Sequence, residues 1–318
     1  VSNPVAVSKF FHAVFSGWMT AAVVVAGISC WYFLKRREAK FAYSSIIVAC
    51  CIGLAGGFAT MLSGDSSGVH IAKYQPMKLA AAEGLQDGGP KAPFSIVPGV
   101  EVPAMLSILA THSVDGYVPG INDILNGYTD NEGNTVLPVS EKMERGRQAI
   151  ASLKSYRENR DNDPEAAAQS MADFRENEKY MGYGYLDKPE DVVPNIPLVF
   201  WSFRVMVGLG SFLMLLLIVL AWTAWKKKIE KLGWLQWITI FSIPLVYVCG
   251  QAGWIVAEAG RQPWTIQDLL PVGVSVSSLS TAAVQTTFFV FLAVFALFLI
   301  IELSIMFKAI AKGPEIEK

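Results

Sequence analysis

The chain has 318 residues, a formal net charge of −1 and a pI near 6.4, which argues against a strongly basic nucleic-acid binder and against an acidic disordered tail. Hydrophobic residues make up 53% and charged residues only 17%, well below the roughly 25% of a soluble domain, and the mean hydropathy is +0.39. These totals point to a polytopic membrane protein. Cys30, Cys50, Cys51 and Cys249 all lie in apolar runs with no CxxC spacing, so they read as small hydrophobes and not as a disulfide or metal framework.

A bilayer crossing needs about 20 consecutive apolar residues. In chain order, such stretches are 10–34, with only His12 ionisable; 41–64, uncharged; 196–225, interrupted only by Arg204; 232–257, uncharged until Glu258 and Arg261; and 269–301, uncharged and longer than a crossing needs. Part of the last stretch is expected to run along the outer surface before it enters. The fold expected is all-α and polytopic: five transmembrane helices with a large extracytoplasmic loop between the second and third. The domain reading is 1–66 for the first two helices, 67–195 for the loop and 196–318 for the last three helices and the tail. Within the loop, Asp163 followed by Pro164 offers an N-cap and a first-turn proline to an Ala-rich helix. A second amphipathic helix starts after Ser140, and 84–98 reads as loop. The chain starts at Val1 without a signal-peptide pattern and is expected to be a portion of a longer protein.

Charge sets the orientation. Residues 70–195 hold 12 Lys and Arg against 19 Asp and Glu, a balance of −7, and the remainder carries +6. Eleven of the basic residues outside the loop fall in three clusters: KRREAK, KKKIEK, and Lys308 with Lys312 and Lys318. The positive-inside rule puts all three in the cytoplasm and the acidic loop outside. Lys9, Arg204 and Arg261 are left over.

Ionisable or ligating groups inside the spans are costly unless paired or coordinating. His12 reads as a hydrogen-bonded interfacial histidine or as a ligand, and Met206 as a core methionine or as a ligand. Counted from Pro4 and Pro197, both lie about 12 to 14 Å into their helices at 1.5 Å per residue. A His and a Met at one level could be the axial ligands of a low-spin haem. Arg204 needs an anion, either a haem propionate or a neighbouring Glu. Glu258, four residues after Trp254 on the same face, either pairs with Arg261 or serves as a carboxylate ligand or proton carrier. Glu302, with Lys308 within reach, reads as structural.

Five segments then carry a resemblance: NPVAVSKFFHAVFSGWMTAAVVVAGISCWYFLK around His12, GDSSG at 64–68, KLAAAEG at 78–84, WSFRVMV around Met206, and GWIVAEAGRQPW around Glu258. Together, and in this order, they closely resemble subunit I of the cytochrome bd ubiquinol oxidases. The resemblance implies an enzyme of the bacterial cytoplasmic membrane that oxidises quinol on the outer side and reduces O2 to water, adding to the proton gradient. His12 and Met206 would be the axial ligands of the low-spin haem b558, with Arg204 beside it. Glu258 would ligate the high-spin haem b595, with Trp254 near the haems and Arg261 as a propionate or structural partner. The loop would be the quinol-binding loop in its longer variant, with Lys78 and Glu83 acting in quinol oxidation, although Glu83 alone reads equally as a solvated loop carboxylate. Haem d would belong to the complete complex. Implied partners are subunit II, an N-terminal part of subunit I with about four further helices, a small single-helix subunit, quinol, O2 and the lipid bilayer, with no nucleic acid. The alternative class is a polytopic transporter or sensor with an extracellular domain, which would favour a midplane site on broken helices. A bis-His cytochrome b fails on ligand count, because only one of three histidines lies in a span.

Overall fold

Asn3 starts the first helix: its side-chain oxygen accepts a hydrogen bond from the Val5 amide at 2.9 Å, and Pro4 takes the first helical position, where a missing N–H costs little. In the computed structural model, which describes residues 3–314, the chain is mainly helical. In order it runs α1 Pro4–Leu34, α2 Ala39–Tyr74, α3 Pro76–Glu83, β1 Phe94–Val97, β2 Val100–Val102, α4 Met105–Thr111, α5 Ile121–Asn126, β3 Tyr128–Thr129, β4 Thr135–Val136, α6 Val139–Asn159, α7 Pro164–Asn177, α8 Ile196–Trp225, α9 Gly233–Ala259, β5 Trp264–Ile266, β6 Leu270–Pro271 and α10 Thr281–Lys312. Each strand pair is an antiparallel two-stranded hairpin. Among the described residues five helices, α1, α2, α8, α9 and α10, are long and apolar enough to cross a membrane, as the uncharged runs led one to expect.

Element ends depart from expectation for local reasons. Helix α2 does not stop at Gly64 but continues through GDSSG to Tyr74. It ends where Gln75 precedes Pro76, a position that disfavours helical backbone. At 36 residues it is about 54 Å long, well beyond the thickness of a hydrocarbon core. Segment 84–98, read as loop, contains β1, whose hairpin with β2 turns at Pro98–Gly99 with Gly99 at φ 87°. The fifth apolar run begins with β6, the second strand of the β5–β6 hairpin, and the 3₁₀ turn Val272–Val274, and its helix begins only at Thr281, capped by the Ser280 hydroxyl. Asp163 caps α7 through the Ala166 amide, as expected. Lys318, assigned to a basic cluster, lies outside the described residues.

The chain divides into two compact units, and α1, α2, α8 and α9 contribute residues to both. One unit comprises Gly17–Gly57, Phe212–Val246 and the chain from Val276 onward. Its helices approach closely at small residues: a Cβ on Gly53 would lie 2.6 Å from Ala22 Cβ, and one on Gly57 would lie 2.0 Å from Met214 Sδ. Buried hydroxyls return their hydrogen bonds to their own helix, as Thr239 does to Leu235 O at 2.8 Å and Ser242 to Ile238 O at 2.8 Å. Tyr32 donates to Ile310 O on α10 at 2.9 Å.

The other unit comprises residues up to Ser16, Phe58–Ser211 and Tyr247–Ser275, so it includes the large insertion. Its centre is α3, in which Met77, Lys78 and residues 80–83 are buried and Leu79 is half-buried. Met77 and Ala80 pack with Ile121, Val139, Met143 and Tyr183, while Ala81 and Ala82 pack against Val199 and Val256. The run of alanines lets a short helix be covered on most sides. Helix α6 crosses the 3₁₀ segment Glu178–Tyr185 at two glycines, where a Cβ on Gly146 would lie 2.4 Å from both Gly184 N and Tyr180 O. Backbone atoms cannot swing aside. Gly146→Ala is therefore expected to destabilise the insertion by at least about 1–3 kcal/mol, read as faster limited proteolysis between α6 and α7 and a lower unfolding temperature.

Candidate functional site

Three groups of polar side chains lie within the unit that holds the insertion. The first is on α1. His12 Nδ1 sits 3.1 Å from Thr60 O and 3.3 Å from Ser63 Oγ on α2. A carbonyl only accepts, and the Ser63 hydroxyl is already committed as donor to Ala59 O at 2.9 Å or Thr60 O at 3.0 Å. The Nδ1 atom therefore carries the proton. Nε2, which makes no hydrogen bond to any described residue, keeps its lone pair. An imidazole held in one tautomer by a carbonyl on its other nitrogen is the arrangement found behind metal-bound histidines.

The second group joins the insertion to α8. Arg204 Nη2 meets Glu83 Oε2 at 2.8 Å, with the two side chains only 9% and 2% exposed. The guanidinium also donates to Ala82 O and Ser95 O. It lies over the ring of Phe200, 4.1 Å from the centroid, with Phe94 and Phe203 each at 5.2 Å. Of the two anions open to Arg204 from the sequence, a glutamate is the one it meets here. Burial pushes the Glu83 carboxyl upward, and the adjacent Arg204 pulls it only part of the way back. The Arg204 Nε atom is buried with no partner among the described residues.

The third group lies where α9 ends. Lys78, itself 4% exposed, donates from Nζ to Ala257 O at 2.9 Å, satisfying one of the last carbonyls of α9. Its pKa is lowered to about 8, mainly by burial and then by the charge of Lys9, while Glu258 pulls it back up and Arg261 pushes it further down. Glu258 is paired with Arg261, three residues on, with side chains 52% and 37% exposed. The Arg261 Nε atom is buried and unpartnered among the described residues. A narrow cleft of about 10 Å³, room for one water at most, opens between Lys78, Arg261 and Trp264. Trp254 is exposed.

The GRQPW loop is fastened to the insertion. The Tyr183 hydroxyl donates to Asp268 Oδ1 at 2.6 Å, and its ring meets Trp264 edge-on at 4.9 Å. Burial and the neighbouring carboxylate push the phenol upward, so it remains a donor. Met206 lies against α9, where Cys249 Sγ donates to Met206 O at 3.3 Å.

The structure thus brings Glu83 to Arg204, Glu258 to Arg261, and Lys78 to the residue preceding Glu258. It seats the two expected axial ligands, His12 and Met206, on different neighbours, α2 and α9. Sequence reading missed Thr60, Ser63, the Tyr183–Asp268 bond and the phenyl cage. Phe200 and Phe203, four and one residues before Arg204, were the one visible signal of the cage.

The architecture is that of a multi-pass helical membrane protein with a folded polar insertion between its second and third apolar helices. The chain belongs to the family of cytochrome bd terminal oxidase subunit I, which it matches over residues 1–314. It is 33% identical over 343 residues to cytochrome bd-II ubiquinol oxidase subunit 1 of Escherichia coli (strain K12), covering 99% of this chain and 64% of that protein. To cytochrome bd ubiquinol oxidase subunit 1 of Bacillus subtilis (strain 168) it is 28% identical over 330 residues, covering 99% and 58%. In fold it is similar to the bd oxidase from Geobacillus thermodenitrificans, with a TM-score of 0.68 at 23% identity, covering 98% of this chain and 59% of that one. The chain spans about three fifths of the length of the curated relatives it matches.

Proposed function

We propose that this chain is the quinol-oxidising, haem b-bearing portion of subunit I of a cytochrome bd type quinol:oxygen oxidoreductase in the bacterial inner membrane. In this reading the insertion is outside and the C-terminus cytoplasmic. His12 with Met206 would hold a low-spin haem b and Glu258 a high-spin haem b, and these groups would supply the one-electron carriers between quinol at the insertion and the haem d of the complete complex, where O2 would be reduced to water. Subunit II, further helices of subunit I and a small single-helix subunit complete the complex. The observation that carries the reading is the buried Glu83–Arg204 pair. It sets the Glu83 carboxylate of the insertion against Arg204, two positions from Met206.

The residues present suit the cofactors. His12 offers Nε2 in a fixed tautomer, Met206 offers a thioether, and Arg204 and Arg261 each retain a buried, unpartnered Nε that a propionate would satisfy. Glu258, exposed in this chain, is free to exchange Arg261 for a metal. When bound, a His/Met haem supplies a one-electron acceptor of raised potential.

The rest is the chain's own work. Quinol must lose two protons with its two electrons. Glu83, with its proton affinity raised by burial, is suited to take a hydroxyl proton. As Glu83 becomes neutral, Arg204 is left without its counter-charge and steadies the negative charge developing on the ring oxygen, as Lys78 does from the α9 end. The test is Glu83→Ala in the assembled oxidase. Quinol oxidation is expected to be abolished while oxidation of an artificial electron donor continues. Loss of both activities, or of neither, would contradict the assignment.

A pH profile tests Lys78 separately. With a pKa of about 8 its side chain is charged below that pH and neutral above it. Quinol oxidation is expected to fall as pH rises through about 8. In Lys78→Arg, whose charge persists at all accessible pH, this alkaline limb should move upward by a unit or more, to the order of magnitude set by the Arg reference value.

A further inference from the structure

Two of the segments that carry the family resemblance begin with a glycine the chemistry above does not use: Gly64 of GDSSG and Gly253 of GWIVAEAGRQPW. Both lie inside helices, α2 and α9. A helix-interior glycine is destabilising by roughly 1 kcal/mol relative to alanine, so what an added side chain would meet at each is informative.

At each position the missing side chain faces an expected axial ligand. A Cβ on Gly253 would lie 3.1 Å from Met206 Sδ and 3.8 Å from its Cγ. A Cβ on Gly64 would lie 3.3 Å from His12 Cε1 and 3.5 Å from Nδ1. Carbon atoms in ordinary contact are about 3.5–4.0 Å apart, so either methyl would move the ligand by a few tenths of an ångström. Other groups on the same two helices also hold each ligand. On α2, Thr60 and Ser63, four and one residues before Gly64, hold the imidazole nitrogen. On α9, Cys249, four residues before Gly253, holds the Met206 carbonyl.

We infer that Gly64 and Gly253 are positioning residues for the two axial ligands, each forming the floor against which the imidazole or the thioether is set. This rests on the reading of His12 and Met206 as haem ligands. The two floors differ in consequence. The imidazole is tied by a hydrogen bond and can only tilt, whereas the unbranched thioether is flexible and can swing away from iron.

The test measures the low-spin haem b spectrum and midpoint potential of the purified oxidase, per mole of assembled complex, in Gly253→Ala, Gly64→Ala and Gly250→Ala. Gly250 is on α9 with no atom within 4 Å of an added Cβ, so it controls for the general effect of alanine on that helix. Gly253→Ala is expected to convert much of the low-spin signal to high-spin, to lower the potential of what remains, and to let the reduced haem bind carbon monoxide. Gly64→Ala should shift the potential and the signal anisotropy with less loss, and it supplies an independent reading if Gly253→Ala does not assemble. Gly250→Ala should match the parent. Parent-like spectra and potentials in both test variants, while His12→Ala and Met206→Leu lose the signal, would overturn this inference and leave the ligand assignment standing. An equal change in Gly250→Ala would overturn it as well. Retention of the low-spin signal in His12→Ala and Met206→Leu would instead overturn the ligand reading itself.

Discussion

His12→Ala and Met206→Leu are each expected to abolish the low-spin haem b spectrum of the assembled oxidase, with quinol oxidation lost in both. The two losses differ in kind. Alanine at 12 removes the α1 imidazole and with it the hydrogen bond that Nδ1 makes to Thr60 O on α2. Leucine at 206 keeps the volume and apolar character of methionine, a swap that costs less than about 1.5 kcal/mol in a packed site. Assembly of Met206→Leu should therefore be close to normal, and its spectral loss reports ligation and not folding. Optical difference spectra of the reduced enzyme, normalised to total haem, check both. An unchanged spectrum in both variants would contradict the assignment.

Breaking the Glu83–Arg204 pair is the second large effect. With side chains 2% and 9% exposed, neither charge can be rehydrated in place. Arg204→Met is expected to destabilise the protein by about 3–5 kcal/mol, the range for removing one partner of a buried pair. It also removes the group that holds the Glu83 proton affinity down, so Glu83 should bind its proton still more tightly and work less well as an acceptor. Glu83→Gln removes the charge but not the shape and can still accept from the guanidinium. It should cost less stability yet lose quinol oxidation. The double variant should recover part of the stability lost in Arg204→Met and none of the activity. Thermal unfolding of the solubilised complex, set beside quinol turnover, separates these outcomes. A fully additive double variant would mean that the two residues do not act as a pair.

Much of the membrane architecture was legible because a bilayer imposes a length and a composition that few other constraints mimic. The run 196–225 coincides with α8 residue for residue. Where two constraints compete, periodicity fails. GDSSG contains two glycines, two serines and an aspartate and starts where the uncharged run ends, yet α2 passes through it. Gly64 is there to approach His12, and Asp65 turns outward to His112 at 3.2 Å. The β1–β2 hairpin was concealed by neighbouring GGP and KAP turn signals, although Pro98–Gly99 marked its turn.

The candidate site was legible as residue types and illegible as partnerships. Arg204 stood out because a lone guanidinium in an apolar span needs an anion, but the choice of Glu83 depends on α3, more than a hundred residues earlier. The third wall of its cage, Phe94, comes from a strand that was read as loop. For Lys78 the family resemblance implied a place beside quinol, and what the structure shows is a side chain that closes the end of α9. Tyr183 and Asp268 carry no motif at all. Their bond is visible only once the 3₁₀ segment and the β5–β6 hairpin are folded together.

The central claim is that electrons and protons leave quinol together at Glu83 and Arg204 and that the electrons go first to the haem held by His12 and Met206. Rapid mixing of the anaerobic, oxidised complex with quinol, followed at the low-spin haem b band in the parent and in Glu83→Ala, tests it directly. The account predicts prompt reduction in the parent, and in Glu83→Ala no reduction by quinol but full reduction by dithionite. Reduction of the variant's low-spin haem by quinol at the parent rate would contradict it.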